Sequence, residues 1–145
     1  MDKHIPWVAV VDDEPTVRRA VLRVLRLAKI PAREFTGGPQ FLDVLEAPGA
    51  DLPECVLLDI VMPDMSGLEV LTRIRQRTAL LPVILMSGNI NPASQIASEH
   101  GTLVNFLAKP FHSSTLVDTI RTAMDATWRI QSLVHRLNQN QPEQK

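Results

Sequence analysis

Cys55 is the only thiol in this chain of 145 residues. A lone cysteine forms no internal disulfide and builds no thiolate metal cluster. Long apolar runs are missing as well, and none approaches the ~18 residues of a membrane-crossing helix. The first run, Trp7 to Val11, stops at Asp12, Asp13 and Glu14 instead of continuing as the apolar segment of a signal peptide. Nor is there an excess of either charge, because 15 Lys and Arg stand against 16 Asp and Glu, a formal net charge of −1. That balance removes the electrostatic case for direct nucleic-acid binding, which needs a basic excess. What is present is ordinary: 45% apolar and 21% charged residues, in a length that suits one domain. The expectation is a soluble, reduced, cytoplasmic domain with neither membrane nor nucleic acid as a direct partner.

Short apolar runs alternate with segments of helical period. The runs are Trp7–Val11, Cys55–Leu58, Pro82–Met86 and Leu103–Leu107, the last interrupted by Asn105, with a more polar one around Ala32–Phe35. Runs of this length between turn formers suit strands buried on both faces of a parallel sheet. Helices are predicted over Pro15–Lys29, Gly38–Glu46 and Gly67–Arg77. A short fourth is bracketed by Asn91, Pro92 and Gly101, and a last, longer one is capped by Ser113 or Ser114. In the first helix Val17, Ala20, Val21, Val24, Leu25 and Ala28 form an apolar stripe, and Arg18, Arg19, Arg23 and Arg26 read as its solvated face. The fourth has only Ala93, Ile96 and Ala97 to bury and is expected to be the least stable element. Five β-α units predict an α/β fold with a parallel sheet and right-handed crossovers.

The last helix outlasts its unit. Leu116, Ile120, Ala123, Thr127, Ile130, Val134 and Leu137 step alternately by four and three, the spacing of a coiled-coil seam. Two readings stand: a helix folded back on its own domain, or one that projects as a dimer or linker helix. The divisions expected are a domain over residues 4–125, an extension of the last helix over 126–138 and a polar tail or linker over 139–145.

In open parallel sheets ligands sit at the carboxyl ends of the strands. Those ends carry Asp12 and Asp13, then Asp59, then Ser87, Gly88 and Asn89, then Lys109, Pro110 and Phe111. Asp59 is the most telling. A carboxylate set between Cys55-Val-Leu-Leu and Ile-Val-Met is costly to bury without compensation. Three clustered carboxylates also repel one another, and a divalent cation cancels that repulsion. Oxygen ligands without His or Cys favour Mg²⁺. Three carboxylates against Mg²⁺ and Lys109 sum to zero, a pocket that accepts a phosphoryl group without large repulsion.

This constellation resembles the receiver (phosphoacceptor) domain of two-component response regulators, from about His4 to Asp125. The stretches that carry the likeness are Val10-Val-Asp-Asp-Glu-Pro, Leu57-Leu-Asp-Ile-Val-Met-Pro-Asp-Met-Ser-Gly, Leu85-Met-Ser-Gly and Phe106-Leu-Ala-Lys-Pro-Phe. Those around Glu34-Phe35-Thr36, Phe41-Leu42 and Glu54-Cys55-Val56 look most like the branch that includes nitrogen-fixation regulators. The resemblance implies a flavodoxin-like (βα)5 fold, a doubly wound parallel sheet with strand order 2-1-3-4-5 and here an extended C-terminal helix. It implies that Asp59 takes a phosphoryl group from a sensor histidine kinase or phosphotransfer protein. It implies Mg²⁺ held by Asp12, Asp13, Asp59 and the carbonyl of Val61, and phosphoryl contacts from Ser87, Gly88 and Lys109. It further implies a switch in which Ser87 and Phe106 move together and reshape the face of the fourth helix, fifth strand and last helix. Homodimerisation would use that face or the last helix. The Lys109–Pro110 bond is a candidate cis peptide. Val61 and Asn89 flank the expected path of the water that would remove the phosphoryl group.

Plainer readings exist for each residue. Asp12 and Asp13 suit a helix cap, Ser87 a turn, Phe106 a core position and Lys109 a solvated loop. Asp64 reads as a turn former, Cys55 as a small buried hydrophobe, and the four histidines show no ligand spacing. Among functions, a Mg²⁺-dependent phosphatase with an aspartyl nucleophile is the alternative. The haloacid-dehalogenase type places its acids as Asp-x-Asp after the first strand, and here they are adjacent. A flavin-mononucleotide carrier needs a phosphate loop of hydroxyls and glycines, whereas Asp12-Asp13-Glu14 would repel phosphate. Within the receiver family, a stand-alone receiver and the N-terminal receiver of a DNA-binding regulator both remain open.

Overall fold

The computed structural model describes residues 5–88, 96, 99 and 103–140. Five parallel strands form one sheet in the order β2-β1-β3-β4-β5. They are β1 (Val8–Val11), β2 (Ala32–Phe35), β3 (Cys55–Asp59), β4 (Val83–Ser87) and β5 (Val104–Ala108). The described helices are α1 (Pro15–Leu27), α2 (Gly38–Glu46), α3 (Gly67–Arg77) and a long C-terminal α4 (Ser113–Gln139).

Burial follows position in the sheet. Every residue of the three central strands is buried, whereas β2 and β5 on the two edges have exposed positions. The polar Ala32–Phe35 run and the interrupting Asn105 are therefore edge features, where one flank of the strand meets solvent. Alternate side chains of the central strands feed two cores. Ala9, Val11, Val56, Leu58, Val83 and Leu85 pack with Phe41, Leu45, Leu71 and Ile74 from α2 and α3. Val8, Val10, Cys55, Leu57, Ile84 and Met86 pack on the other face with Val21, Leu25, Leu116 and Ile120 from α1 and α4. Full burial pushes the Cys55 thiol up to about 12, so it stays protonated and acts as the small hydrophobe its position suggests.

Helix ends differ from expectation in detail. α1 stops at Leu27, two residues before its predicted end, because Lys29 adopts a left-handed conformation (φ 60°). The Ile30 and Lys29 amides then bond back to the carbonyls of Leu25 and Arg26, which closes the helix. Ala20, placed on the apolar stripe by its spacing, is exposed, and Arg18 on the supposed solvated face is half-buried. α4 begins at Ser113 with His112 at the cap and no side-chain cap bond, so neither Ser113 nor Ser114 caps it. Of the helix predicted over 91–101, only Ile96 and Glu99 are described; both are helical, and Ile96 packs into the first core. The rest of that helix, and Asn89, lie outside the described residues.

The last helix projects. Leu116, Ile120, Ala123 and Thr127 are buried, the Thr127 hydroxyl donating to the carbonyl of Glu54 at 2.7 Å. Beyond them Leu133, Val134 and Leu137 are exposed. Of the two readings of this helix, the structure takes the projecting one through Gln139.

Candidate functional site

Parallel strands bring the ends of β1, β3, β4 and β5 to one edge of the sheet, and the side chains singled out in sequence meet there. Asp59 ends β3 and Ser87 ends β4, while Asp12 and Lys109 follow directly on β1 and β5. The backbone ties these ends together. The Ile60 amide donates to the Met86 carbonyl at 3.1 Å, and the Lys109 amide donates to the Ser87 carbonyl at 2.8 Å. The Lys109–Pro110 peptide is cis.

Asp12 is fully buried and Asp59 is 4% exposed, yet both carry carboxylates. Compensation comes from Lys109, whose Nζ lies 3.2 Å from Asp59 Oδ2 and 3.4 Å from Asp12 Oδ2. The other oxygens have backbone donors. The Glu14 amide donates to Asp12 Oδ1 at 2.9 Å, and the Val61 amide to Asp59 Oδ1 at 3.2 Å. Burial raises the Asp59 carboxyl above its ordinary value; Lys109 opposes that and Asp12 adds to it. Burial pulls Lys109 down, but the two carboxylates outweigh it and hold the ammonium above its ordinary value. Among the described residues one ammonium, Lys109, thus pairs with two buried carboxylates.

Carboxylate oxygens of Asp12, Asp13 and Asp59 lie within 4.8 Å of one another. Asp13 Oδ1 is buried with no hydrogen-bond partner among the described residues, which leaves it able to ligate a cation. All donors are oxygen, with no His or Cys among them, which suits Mg²⁺. The residues present fit that metal. Val61 is 76% exposed, with its amide turned to Asp59. Ser87 is buried, and Gly88 is exposed, with nothing among the described residues within 4 Å of where a Cβ would stand. Phe106 is half-buried against the first core, in register with Leu85.

Two contributions escaped the sequence. Gly67 lies against the strand that carries Asp59: a Cβ there would stand 2.3 Å from the Asp59 carbonyl oxygen, and its amide donates to the Ile60 carbonyl at 2.8 Å. The turn holding Asp59 closes only because residue 67 has no side chain. Ser66-Gly-Leu-Glu69 then starts α3, Ser66 Oγ accepting from the Glu69 amide. The second contribution is Arg18, whose guanidinium donates to the Asp12 carbonyl at 2.8 Å.

The family model for the response regulator receiver domain matches residues 8–121. The chain belongs to this family. Among curated relatives, the C4-dicarboxylate transport transcriptional regulatory protein DctD of Pseudomonas aeruginosa is 34% identical over 118 residues, 81% of this chain and 25% of that protein. Transcriptional regulatory protein FixJ of Azorhizobium caulinodans is 29% identical over 125 residues, 86% of this chain and 57% of that protein. Both agree with the branch suggested by the sequence. A solved response regulator receiver protein from Burkholderia phymatum is 35% identical, with a TM-score of 0.72, over 83% of this receiver and 96% of that chain. The receiver thus spans between a quarter and somewhat over half the length of these curated relatives. No helix among the described residues is long and apolar enough to cross a membrane.

Proposed function

We propose that Asp59 is the phosphoacceptor of this receiver, charged by a phosphohistidine on a sensor kinase or phosphotransfer protein in the cytoplasm. An Asp59 oxygen attacks phosphorus, the phosphorus–nitrogen bond breaks, and the departing imidazole nitrogen takes up a proton. The observation that carries this reading is the buried Asp59 carboxylate, paired to Lys109 at 3.2 Å beside Asp13 Oδ1, which has no hydrogen-bond partner among the described residues. Asp12, Asp13, Asp59 and the Val61 carbonyl would hold Mg²⁺, which when bound neutralises charge on the phosphoryl oxygens. Lys109 pairs with a phosphoryl oxygen, Ser87 donates to another, and Gly88 leaves the open rim clear.

Phosphorylation replaces one negative charge on Asp59 with about two. That change sits beside Ser87 at the end of β4 and Lys109 after β5. Ser87 moves to the new oxygens, Phe106 turns inward, and the face around β5 and α4 changes shape. The groove of about 480 Å³ between α1 and α4, lined by Val17, Ala20, Val24, Phe111 and Leu116, reaches Lys109 and offers a donor protein a docking surface next to the site. Dimerisation through the β5–α4 face or the projecting α4, and an output in transcription, are supported by the exposed seam and by the names of the relatives.

Incubation with acetyl phosphate and Mg²⁺ tests the reading. One phosphoryl group per chain, lost in Asp59→Asn, is the expected result. Many turnovers of a phosphate ester would replace it with the phosphatase alternative.

A further inference from the structure

Asp12 is fastened at every polar atom. Its amide donates to the Phe35 carbonyl of β2 at 3.2 Å, Oδ1 accepts from Glu14, and Oδ2 faces Lys109. Its carbonyl accepts from Arg18 Nη1 at 2.8 Å. That carbonyl belongs to the peptide joining Asp12 to Asp13. A peptide is a rigid plane, so fixing its oxygen fixes how the plane is turned and where the next side chain starts. Asp13 has no such restraint at Oδ1, which lacks a hydrogen-bond partner among the described residues.

Arg18 itself has a counter-ion on its outer side. Its side chain is 11% exposed, and Nε, buried with no hydrogen-bond partner among the described residues, lies 3.8 Å from Glu34 Oε1 on edge strand β2, an ion pair without a hydrogen bond. A guanidinium can present one nitrogen to the carbonyl and another to the carboxylate, whereas a lysine ammonium is a single point of charge. We infer that Arg18 is a positioning residue for the metal site: with Glu34 behind it, it sets the Asp12–Asp13 peptide so that Asp13 Oδ1 faces the cation. The inference rests on the Mg²⁺ reading given above.

Charge alone predicts the opposite result. Arg18 adds a positive charge beside a cation site, so its removal should tighten Mg²⁺ binding if it acts only through its field. Positioning predicts weaker binding in spite of the more negative pocket. The test is calorimetric titration of the intact protein with MgCl₂, without phosphodonor, with metal-free unfolding midpoints measured in parallel. Arg18→Met is expected to bind Mg²⁺ about tenfold more weakly and Arg18→Lys, which keeps the charge, several-fold more weakly. Glu34→Gln, on an exposed edge, should lose two- to threefold and folds whether or not the arginine variants do. Binding by Arg18→Met or Arg18→Lys as tight as wild type overturns the inference, as does an unchanged affinity in Glu34→Gln should the arginine variants fail to fold. Failure of the wild-type protein to bind Mg²⁺ would instead overturn the reading on which it rests.

Discussion

Lys109 Nζ lies 3.2 Å from Asp59 Oδ2 and is shared with Asp12. The lysine is 23% exposed, so water screens the contact only in part. In Lys109→Met both carboxylates lose their counter-charge. The metal-free protein is expected to be about 1–3 kcal/mol less stable by chemical denaturation. Saturating Mg²⁺ should raise its unfolding midpoint by more than it raises that of wild type, because the cation takes over the missing charge. An equal rise in both proteins would show that Lys109 and the metal site are independent.

Asp59→Asn removes the anion whose burial raises its pKa. A carboxyl whose pKa is raised on folding binds its proton more tightly in the native state than in the unfolded chain. Its charged form therefore costs stability, a cost absent below the unfolded value of about 3.9 and developed as pH rises through the raised native value. Without metal, Asp59→Asn should match wild type in acid and exceed it by about 1 kcal/mol at neutral pH. Thermal unfolding across that range checks the sign. A gap constant with pH would contradict it.

Gly67 and Gly88 make a matched pair. A Cβ at residue 67 meets backbone at 2.3 Å and 2.8 Å, on Asp59 and Ile60, whereas one at residue 88 meets nothing within 4 Å among the described residues. Gly67→Ala should cost about 2–4 kcal/mol and slow phosphorylation, since the clash falls on the backbone that carries Asp59. Gly88→Ala should change stability by less than about 0.5 kcal/mol. Urea denaturation of the two variants and their rates with acetyl phosphate decide the comparison.

Val61 is 76% exposed at the rim, and an apolar side chain there cannot orient a water. Val61→Asn is expected to shorten the phosphoryl lifetime about tenfold, roughly the worth of one hydrogen bond to the attacking water. Stability should be unchanged, because the side chain packs on little. Decay of the phosphoprotein measures the effect, and equal lifetimes would remove Val61 from any role in hydrolysis.

Much of this was legible in sequence because burial writes itself into short runs. Cys55-Val-Leu-Leu reads as a central strand without help, and the polar Ala32–Phe35 run fits its place on an edge. The meeting of Asp12, Asp13, Asp59 and Lys109 followed from a single rule, that parallel strands present their carboxyl ends together. What stayed hidden depends on distance through space. Arg18 looks solvated by helical period, and its contact with Glu34 exists only because β2 lies beside β1. Gly67 looks like any turn glycine until the loop is seen to fold back on Asp59. Whether α4 turns back or runs on leaves no trace in a seam whose period is the same in both cases.

That seam also makes a prediction about assembly. From Leu116 to Thr127 it is buried in the domain, and beyond it Val134 is 43% and Leu137 56% exposed. β-Branched Val134 and γ-branched Leu137 alternate in the manner that favours two-stranded pairing, and the flanking Gln131 and Asn138 bring no like charges together. Only about two heptads project, so pairing should be concentration-dependent and strengthened when the β5–α4 face also changes shape. Sedimentation with Mg²⁺ and beryllofluoride, a phosphoryl mimic, is expected to show a dimer. Val134→Asp combined with Leu137→Asp should return it to a monomer while leaving phosphorylation by acetyl phosphate intact. A wild-type protein that stays monomeric with and without the mimic would exclude the helix as a pairing element and favour a receiver that passes its signal by transient contact.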